Sequence, residues 1–203
     1  TYFTHSIAKY GMEARFTGDD SPERFYEKID DKTRFLHLET IGNPSLEVPD
    51  IEAIAEVAHE ANIPLVVDNT FATPYLCKPF EHGADIVWHS TTKWLNGGGT
   101  TIGGAVVDSG NFDWESGEFP GLTEDNPSYH GLNFKERFGD EAFIRNLRAR
   151  GLRDLGSIQS PFDTFLNLKG LETLPLRMDK HCENSILISE FLTADCTRSR
   201  ASR

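Results

Sequence analysis

The sequence is short of cysteine, positive charge and long apolar runs, and each shortage excludes something. Its three cysteines, Cys77, Cys182 and Cys196, are odd in number, far apart and include no C-x-x-C pair. That argues against a disulfide framework, a zinc ribbon or a dithiol redox site, and fits a reducing compartment. Apolar stretches are no longer than Leu65 to Val67 or Ala105 to Val107, whereas a bilayer span needs about 20 residues. The opening residues, Thr1 to Gly11, lack the apolar core of a secretory signal, so a cytoplasmic location is expected. Only 20 Lys and Arg oppose 32 Asp and Glu, a net charge of −12. A field of that sign repels phosphate backbones and anionic lipid, which argues against nucleic-acid and membrane partners. Seven histidines are present, none in an H-E-x-x-H or other metal-ligand spacing, and no metal is expected.

A chain of 203 residues is long enough to bury a substantial core, as one large domain or one and a half ordinary ones. Its apolar pattern alternates between strand and helix. Met12 to Thr17 reads as a short strand. Ser21-Pro22 opens a helix that places Phe25 and Ile29 on one face, and Thr33 to Thr40 is strand-like. Pro49-Asp50 opens a second helix with apolar positions Ile51, Ile54, Ala55 and Ala58. Strands follow at Leu65 to Val67, Asp85 to His89 and Gly104 to Val107. Residues 108–131 read as an aperiodic excursion. Helices are then expected over Gly139 to Leu155, from Ser160-Pro161, and over Leu174 to Leu192. Short all-apolar strands between helices predict an α/β domain with a parallel sheet.

In such sheets ligands bind at the carboxyl ends of the strands. Three chemically loaded turns fall there: Thr40-Ile-Gly-Asn43, Asp68-Asn-Thr70 and Ser90-Thr-Thr-Lys93. Hydroxyls and free amides at a strand end suit a phosphate dianion, and a lysine beside them suits a carbonyl on the same ligand. A ligand with both a phosphate and an aldehyde is pyridoxal phosphate. Its ring nitrogen needs a carboxylate, and Asp68 stands 25 residues before Lys93, a separation that suits the neighbouring strand. Taken singly, each piece is unremarkable: a strand-end Asp is commonly a turn residue, and a lone Lys a solvated one. Gly97-Gly-Gly99 does not complete G-x-G-x-x-G, because Ile102 holds the third glycine's place, so a nicotinamide dehydrogenase is disfavoured.

The segments Val67-Asp-Asn-Thr-Phe-Ala-Thr-Pro74, Gly83-Ala-Asp-Ile-Val87 and Ser90-Thr-Thr-Lys-Trp94 resemble the cysteine/methionine-metabolism family of pyridoxal-phosphate enzymes. Glu39 to Pro44 and Gly170 to Met178 are similar to it as well, and the resemblance runs from Tyr2 to about Leu192. Within the family, Thr123 to Leu132 is similar to an insertion of the O-acetylhomoserine sulfhydrylase branch. The resemblance implies a three-layer, aminotransferase-like (fold type I) cofactor domain with a mainly parallel sheet, incomplete at both ends. Residues 1–172 would be part of the large domain, residues 173–195 a helix toward a small domain, and residues 196–203 an atypical basic tail. The chain would then be an internal fragment, or a truncated or frame-shifted product.

By the same resemblance Lys93 would carry the cofactor as a Schiff base and later act as general base. Asp68 would pair with the ring nitrogen, Ser90 and Thr92 would hold the phosphate, and Asn43 would bond the phenolic oxygen. The implied activity is γ-replacement on O-acetylhomoserine with sulfide or a thiol, giving homocysteine or methionine, in a homo-oligomer (dimer or tetramer). Cystathionine γ-synthase or methionine γ-lyase activity, or a non-catalytic fragment, are the alternatives. Gly98 departs from the family, which has His two residues before the Thr-Thr pair of the glycine-rich turn, and this bears on the packing of that loop. His37 and His89, inside apolar strands, and Cys182, on the last helix, are expected to pack.

Overall fold

The computed structural model describes the backbone of residues 2–201 and side chains to residue 194. Eight helices and four strands alternate along it: α1 (Pro22–Tyr26), β1 (Leu36–Glu39), α2 (Ile51–Glu60), β2 (Leu65–Asp68), α3 (Thr73–Leu76), β3 (Ile86–Ser90), β4 (Gly104–Asp108), α4 (Pro120–Thr123), α5 (Phe134–Phe138), α6 (Ala142–Leu147), α7 (Pro161–Leu171) and α8 (Leu174–Ala201). The expected strand over Met12 to Thr17 is absent. That segment is irregular, and Arg15 ties it down through Asp30 and the Lys28 carbonyl. The basic tail from Cys196 lies outside the described side chains.

Helix starts follow their sequence signals. Asp50 caps α2 by accepting the Ala53 amide at 3.1 Å, and Ser160 caps α7 by accepting the Asp163 amide at 3.1 Å. Ser21 precedes α1 but gives its hydroxyl to Asp19 instead of capping, so Pro22 at the first helical position is the effective start signal.

The sheet order is β1-β2-β3-β4, the first three strands parallel and β4 antiparallel at the edge. Side chains alternate between two faces. One face carries Leu36, Leu38, Leu65, Val67 and Val87 against Phe25 of α1 and Ile54, Ala55 and Ala58 of α2. Ile54, Leu65 and Val67 have no exposed surface, and this cluster is the centre of the core. The other face, at the amino-terminal end of β3, packs Ile86 against Phe112, Trp114, Leu122, Phe134 and Ala142. Residues 108–131 are therefore no plain excursion. Their aromatics form edge-to-face pairs, such as Phe112 with Trp114 at 4.8 Å, and build a second core.

Helix α8 is longer than the pattern implies. It meets the rest of the chain through Leu174 and Met178, which pack on Leu95, and through the Tyr75 hydroxyl, which donates to Asp179 at 2.9 Å. Cys182 is exposed on it and does not pack within this chain.

At the amino-terminal end of β3, buried Asp85 accepts the Leu65 amide at 2.8 Å and meets His59 Nε2 at 2.9 Å. The Leu65 amide belongs to a residue with no solvent contact. Asp85→Ala is expected to destabilise the fold by about 1–3 kcal/mol, the usual cost of leaving a buried donor unpaired. Urea unfolding measures it, and an unchanged midpoint would contradict the assignment.

Candidate active site

Parallel pairing sets the site. Glu39 is opposite Asp68, and Asp68 opposite Trp88, so β1, β2 and β3 deliver their outgoing turns to one rim. Asp68 is paired with Trp88, and Ser90 lies two positions beyond Trp88, so Asp68 and Ser90 are on the same face of the sheet. The structure joins them through Thr70: Asp68 Oδ1 accepts the Thr70 amide at 2.9 Å, and the Thr70 hydroxyl accepts the Ser90 amide at 2.7 Å. Thr70 was visible in the sequence only as a turn residue. Its hydroxyl is the tie between the two expected ligands.

The chain then makes a single wide turn over Thr91–Leu95, closed by the Asn96 amide on the Thr91 carbonyl at 3.2 Å. Inside it Lys93 leaves helical geometry, with φ −96° and ψ −122°. Its side chain is exposed, and among the described residues it makes neither an ion pair nor a hydrogen bond. In a chain with net charge −12, an amine without a carboxylate partner is open to a ligand. The Ser90 hydroxyl likewise has no hydrogen-bond partner among the described residues.

The remaining expected ligands differ. The Thr92 hydroxyl is engaged with Gly103, accepting its amide at 3.1 Å and donating to its carbonyl over 3.4 Å. It must give up that long bond to donate elsewhere. Thr91 is buried and accepts from the Gln159 amide at 3.3 Å, so it faces inward, away from the rim. Asn43 is exposed, four residues beyond the end of β1, where its backbone amide donates to Glu39 at 3.0 Å. It is on the same rim, but no contact joins it to Asp68, Ser90 or Lys93.

The glycine-rich turn is held by its own residue. Asn96 Oδ1 accepts from the amides of Gly98 and Thr100 and from the Thr100 hydroxyl, each at 3.1 Å. Gly98, the departure from the family pattern, is exposed in this loop, and the closure comes from Asn96. The Thr123 to Leu132 segment packs elsewhere. Tyr129 donates to the Ala149 carbonyl at 2.7 Å under the Arg153 guanidinium, and its neighbours join the cluster around Ile86, at the end of β3 opposite Ser90. A groove of about 700 Å³ between Val66, Trp88, Val106 and Phe119 includes none of Asp68, Ser90 or Lys93.

Two histidines flank Asp68. Buried His89 holds the Asn69 carbonyl through Nδ1 at 3.0 Å, and His37 Nε2 accepts the Trp88 indole N–H at 3.2 Å. Burial pushes both below the ordinary histidine value of 6.5, while Asp68 draws each back. Burial thus favours the neutral form of each, and each is held in place beside β2 by its hydrogen bond. The residues at the rim fit a pyridoxal-phosphate-like ligand: an amine with no partner, an open hydroxyl and a carboxylate on the adjacent strand.

Comparison with known proteins points to the same cofactor. The family model for Cys/Met metabolism PLP-dependent enzymes matches residues 1–200. The O-acetyl-L-homoserine sulfhydrylase of Leptospira meyeri is 48% identical over 196 residues, covering 93% of this chain and 44% of that protein. The homocysteine synthase of Schizosaccharomyces pombe is 48% identical over 193 residues, covering 94% of this chain and 45% of that protein. The chain thus spans less than half the length of these relatives. A solved Campylobacter jejuni protein that holds N'-pyridoxyl-lysine-5'-monophosphate superimposes with a TM-score of 0.89 at 34% identity, over 95% of this chain and 48% of that one. The fold is thus the α/β, mainly parallel arrangement of fold type I enzymes.

A pH dependence follows from the two histidines. Their folded pKa values lie below 6.5, so the unfolded chain binds more protons as pH falls through that value. Their stabilising contribution is complete above 6.5 and is lost as pH falls toward the folded values. Thermal midpoints recorded from about pH 7.5 down to 5 are expected to decline, and less steeply in a His37→Gln/His89→Gln variant. An equal slope in that variant would refute the assignment. The matched family model, the relatives and the rim together identify the chain as a member of the Cys/Met metabolism PLP-dependent enzyme family.

Proposed function

We propose that residues 1–172 form much of a pyridoxal-phosphate-binding domain, with residues 173–195 leading on from it, and that its protein performs γ-replacement on O-acetylhomoserine. Acetate leaves Cγ, and sulfide or a thiol takes its place, giving homocysteine or methionine. The single observation that carries the reading is the rim: Asp68 at the end of β2 and Ser90 and Lys93 after β3, tied through Thr70. The sulfhydrylase and homocysteine synthase relatives support the substrate.

When bound, the cofactor supplies an electron sink for charge released at the substrate carbons. Asp68 would hold the ring-nitrogen proton in place, its orientation fixed by the Thr70 amide. Lys93 would bind the aldehyde carbon and then, once displaced by the substrate amine, take the Cα proton on Nζ; its exposed position at the rim supports both roles. Ser90 and Thr92 would receive the phosphate, with Thr92 releasing the Gly103 carbonyl to do so. Asn43 would bond the phenolic oxygen from the neighbouring turn. These local donors must outweigh the repulsion of a −12 chain for a dianion.

The partners in this reading are small amino acids and sulfide or a thiol. A homo-oligomer is supported by the exposed apolar residues Leu176, Ile186, Leu187, Phe191 and Leu192 along α8, and a cytoplasmic location by the free thiols Cys77 and Cys182.

Mixing the purified protein with pyridoxal phosphate is expected to give a saturable visible absorbance band that Lys93→Ala abolishes. Asp68→Asn should keep the band and lower homocysteine formation by about 100-fold or more, the scale of losing a preorganised charge at the reacting group. A band that survives in Lys93→Ala would defeat the assignment. Turnover of O-acetylhomoserine with sulfide, compared with cysteine as acceptor and with no acceptor, separates the sulfhydrylase from γ-synthase and γ-lyase activities; binding without turnover in all three would support a non-catalytic fragment.

A further inference from the structure

We infer that Arg177, on the first turn of α8, is a positioning residue for Lys93; the inference rests on Lys93 being the lysine that binds the cofactor. The carbonyl of Trp94, the residue after Lys93, accepts from Arg177 Nη2 at 2.9 Å. The same nitrogen donates to the Gly170 carbonyl at 2.9 Å, and Nε donates to the Thr173 hydroxyl at 3.1 Å. One guanidinium thus ties the end of α7 and the start of α8 to the turn that carries Lys93.

Two glycines leave room for this clamp. A Cβ on Gly97, which has φ +71°, would sit 2.5 Å from the guanidinium carbon. A Cβ on Gly170 would overlap the carbonyl oxygens of Leu95 and Asn96, so α7 lies directly on the backbone of the turn. Behind the clamp, Leu95 is buried against Leu174 and Met178, and the Trp94 ring meets His181 at 4.5 Å. The turn over Thr91–Leu95 is a single wide loop, closed by the Asn96 amide on the Thr91 carbonyl at 3.2 Å and the Gly97 amide on the Lys93 carbonyl at 2.9 Å. With the Lys93 carbonyl held in this way, the outside tie to the Trp94 carbonyl fixes the next peptide, so the backbone on the carboxyl side of Lys93 is held and with it the direction in which its side chain leaves.

The choice of cation follows from the geometry. A planar guanidinium can meet two carbonyls and a hydroxyl at fixed angles; an ammonium on a flexible stem cannot. Among the described residues Arg177 has no carboxylate partner in a chain with 32 acids, so its hydrogen bonds go to the backbone of the turn and to α7 and α8. Among the described residues it makes no hydrogen bond to Asp68, Ser90, Thr92 or Lys93, and it acts through the turn that carries Lys93.

The test follows the rate at which Lys93 captures pyridoxal phosphate, the condensation of its Nζ with the aldehyde carbon with loss of one water. The rate is read from the visible band, and the stoichiometry from mass after borohydride reduction. Arg177→Ala is expected to slow capture about tenfold, the rate equivalent of one charge-assisted hydrogen bond. Stoichiometry should be unchanged, and amide exchange should rise over residues 91–98 but not over Leu65–Asp68. Arg177→Lys should recover part of the rate. Thr173→Val, at an exposed position, removes the Nε anchor, together with the hydroxyl's own long bond to the Gly170 carbonyl at 3.3 Å, and should slow capture about threefold; it carries the test if Arg177→Ala does not fold. Wild-type capture and exchange in Arg177→Ala, or a wild-type rate in Thr173→Val where Arg177→Ala is unfolded, would overturn the inference. Failure of the unaltered protein to capture the cofactor, or capture that persists in Lys93→Ala, would instead overturn the assignment of Lys93.

Discussion

The parallel pairing of β2 with β3 is the constraint on which the rest depends. It places Asp68 beside Trp88 and sends both strands' outgoing turns to one rim. The pairing is held from the core side by Leu65, Val67 and Val87 under α1 and α2, and at its amino-terminal end by Asp85, whose carboxylate accepts the Leu65 amide. At the carboxyl end Thr70 continues it as a side-chain link, from Asp68 to Ser90. A parallel strand pair needs a long crossover, and here α3 and the turn at Gly83 supply it. Gly83 has φ +89°, and a Cβ there would press on Ala55 of α2, so that turn can come close to the core only as glycine.

The site is consequently an edge feature built from backbone ends, with few of its groups committed to each other. Asp68 is fixed by an amide, His89 fixes the Asn69 carbonyl beside it, and Ser90 is fixed through its own amide, leaving its hydroxyl open. Lys93 is held through its backbone. Polar groups that lack protein partners at a strand rim are costly in a dry core but inexpensive at a surface, and there they remain available to a ligand. The acidic field of the chain makes this local arrangement necessary, because nothing at longer range favours a phosphate.

Helix α8 connects the site to the rest of the molecule. Its first turns bury Leu174 and Met178 and place Arg177 on the Trp94 carbonyl, while its later turns expose Ile186, Leu187, Phe191 and Leu192. The same helix thus has one end committed to the lysine turn and the other presenting apolar surface outward.

The four strands of the sheet, the capped helices α2 and α7 and the motif from Asp68 to Lys93 were legible in the sequence, because each rests on local pattern: apolar strings, Asp or Ser before a helix, chemistry at a strand end. Met12 to Thr17 misled, since its alternation has no neighbouring strand to pair with and Arg15 finds Asp30 instead. The aromatics of residues 108–131 showed no periodicity, because they pack by ring contacts within an irregular segment and onto helix α6, where Trp114 stacks on Phe143 at 5.2 Å. The sequence by itself determined which residue types could bind a phosphate, an aldehyde and a ring nitrogen, as those are properties of side chains. Only the tertiary structure decided which of them are free to do so. Thr92 is engaged by Gly103, Thr91 turns inward to Gln159, and Thr70 and Arg177 gain their parts from contacts across 20 and 83 residues of chain, a separation that no local pattern records.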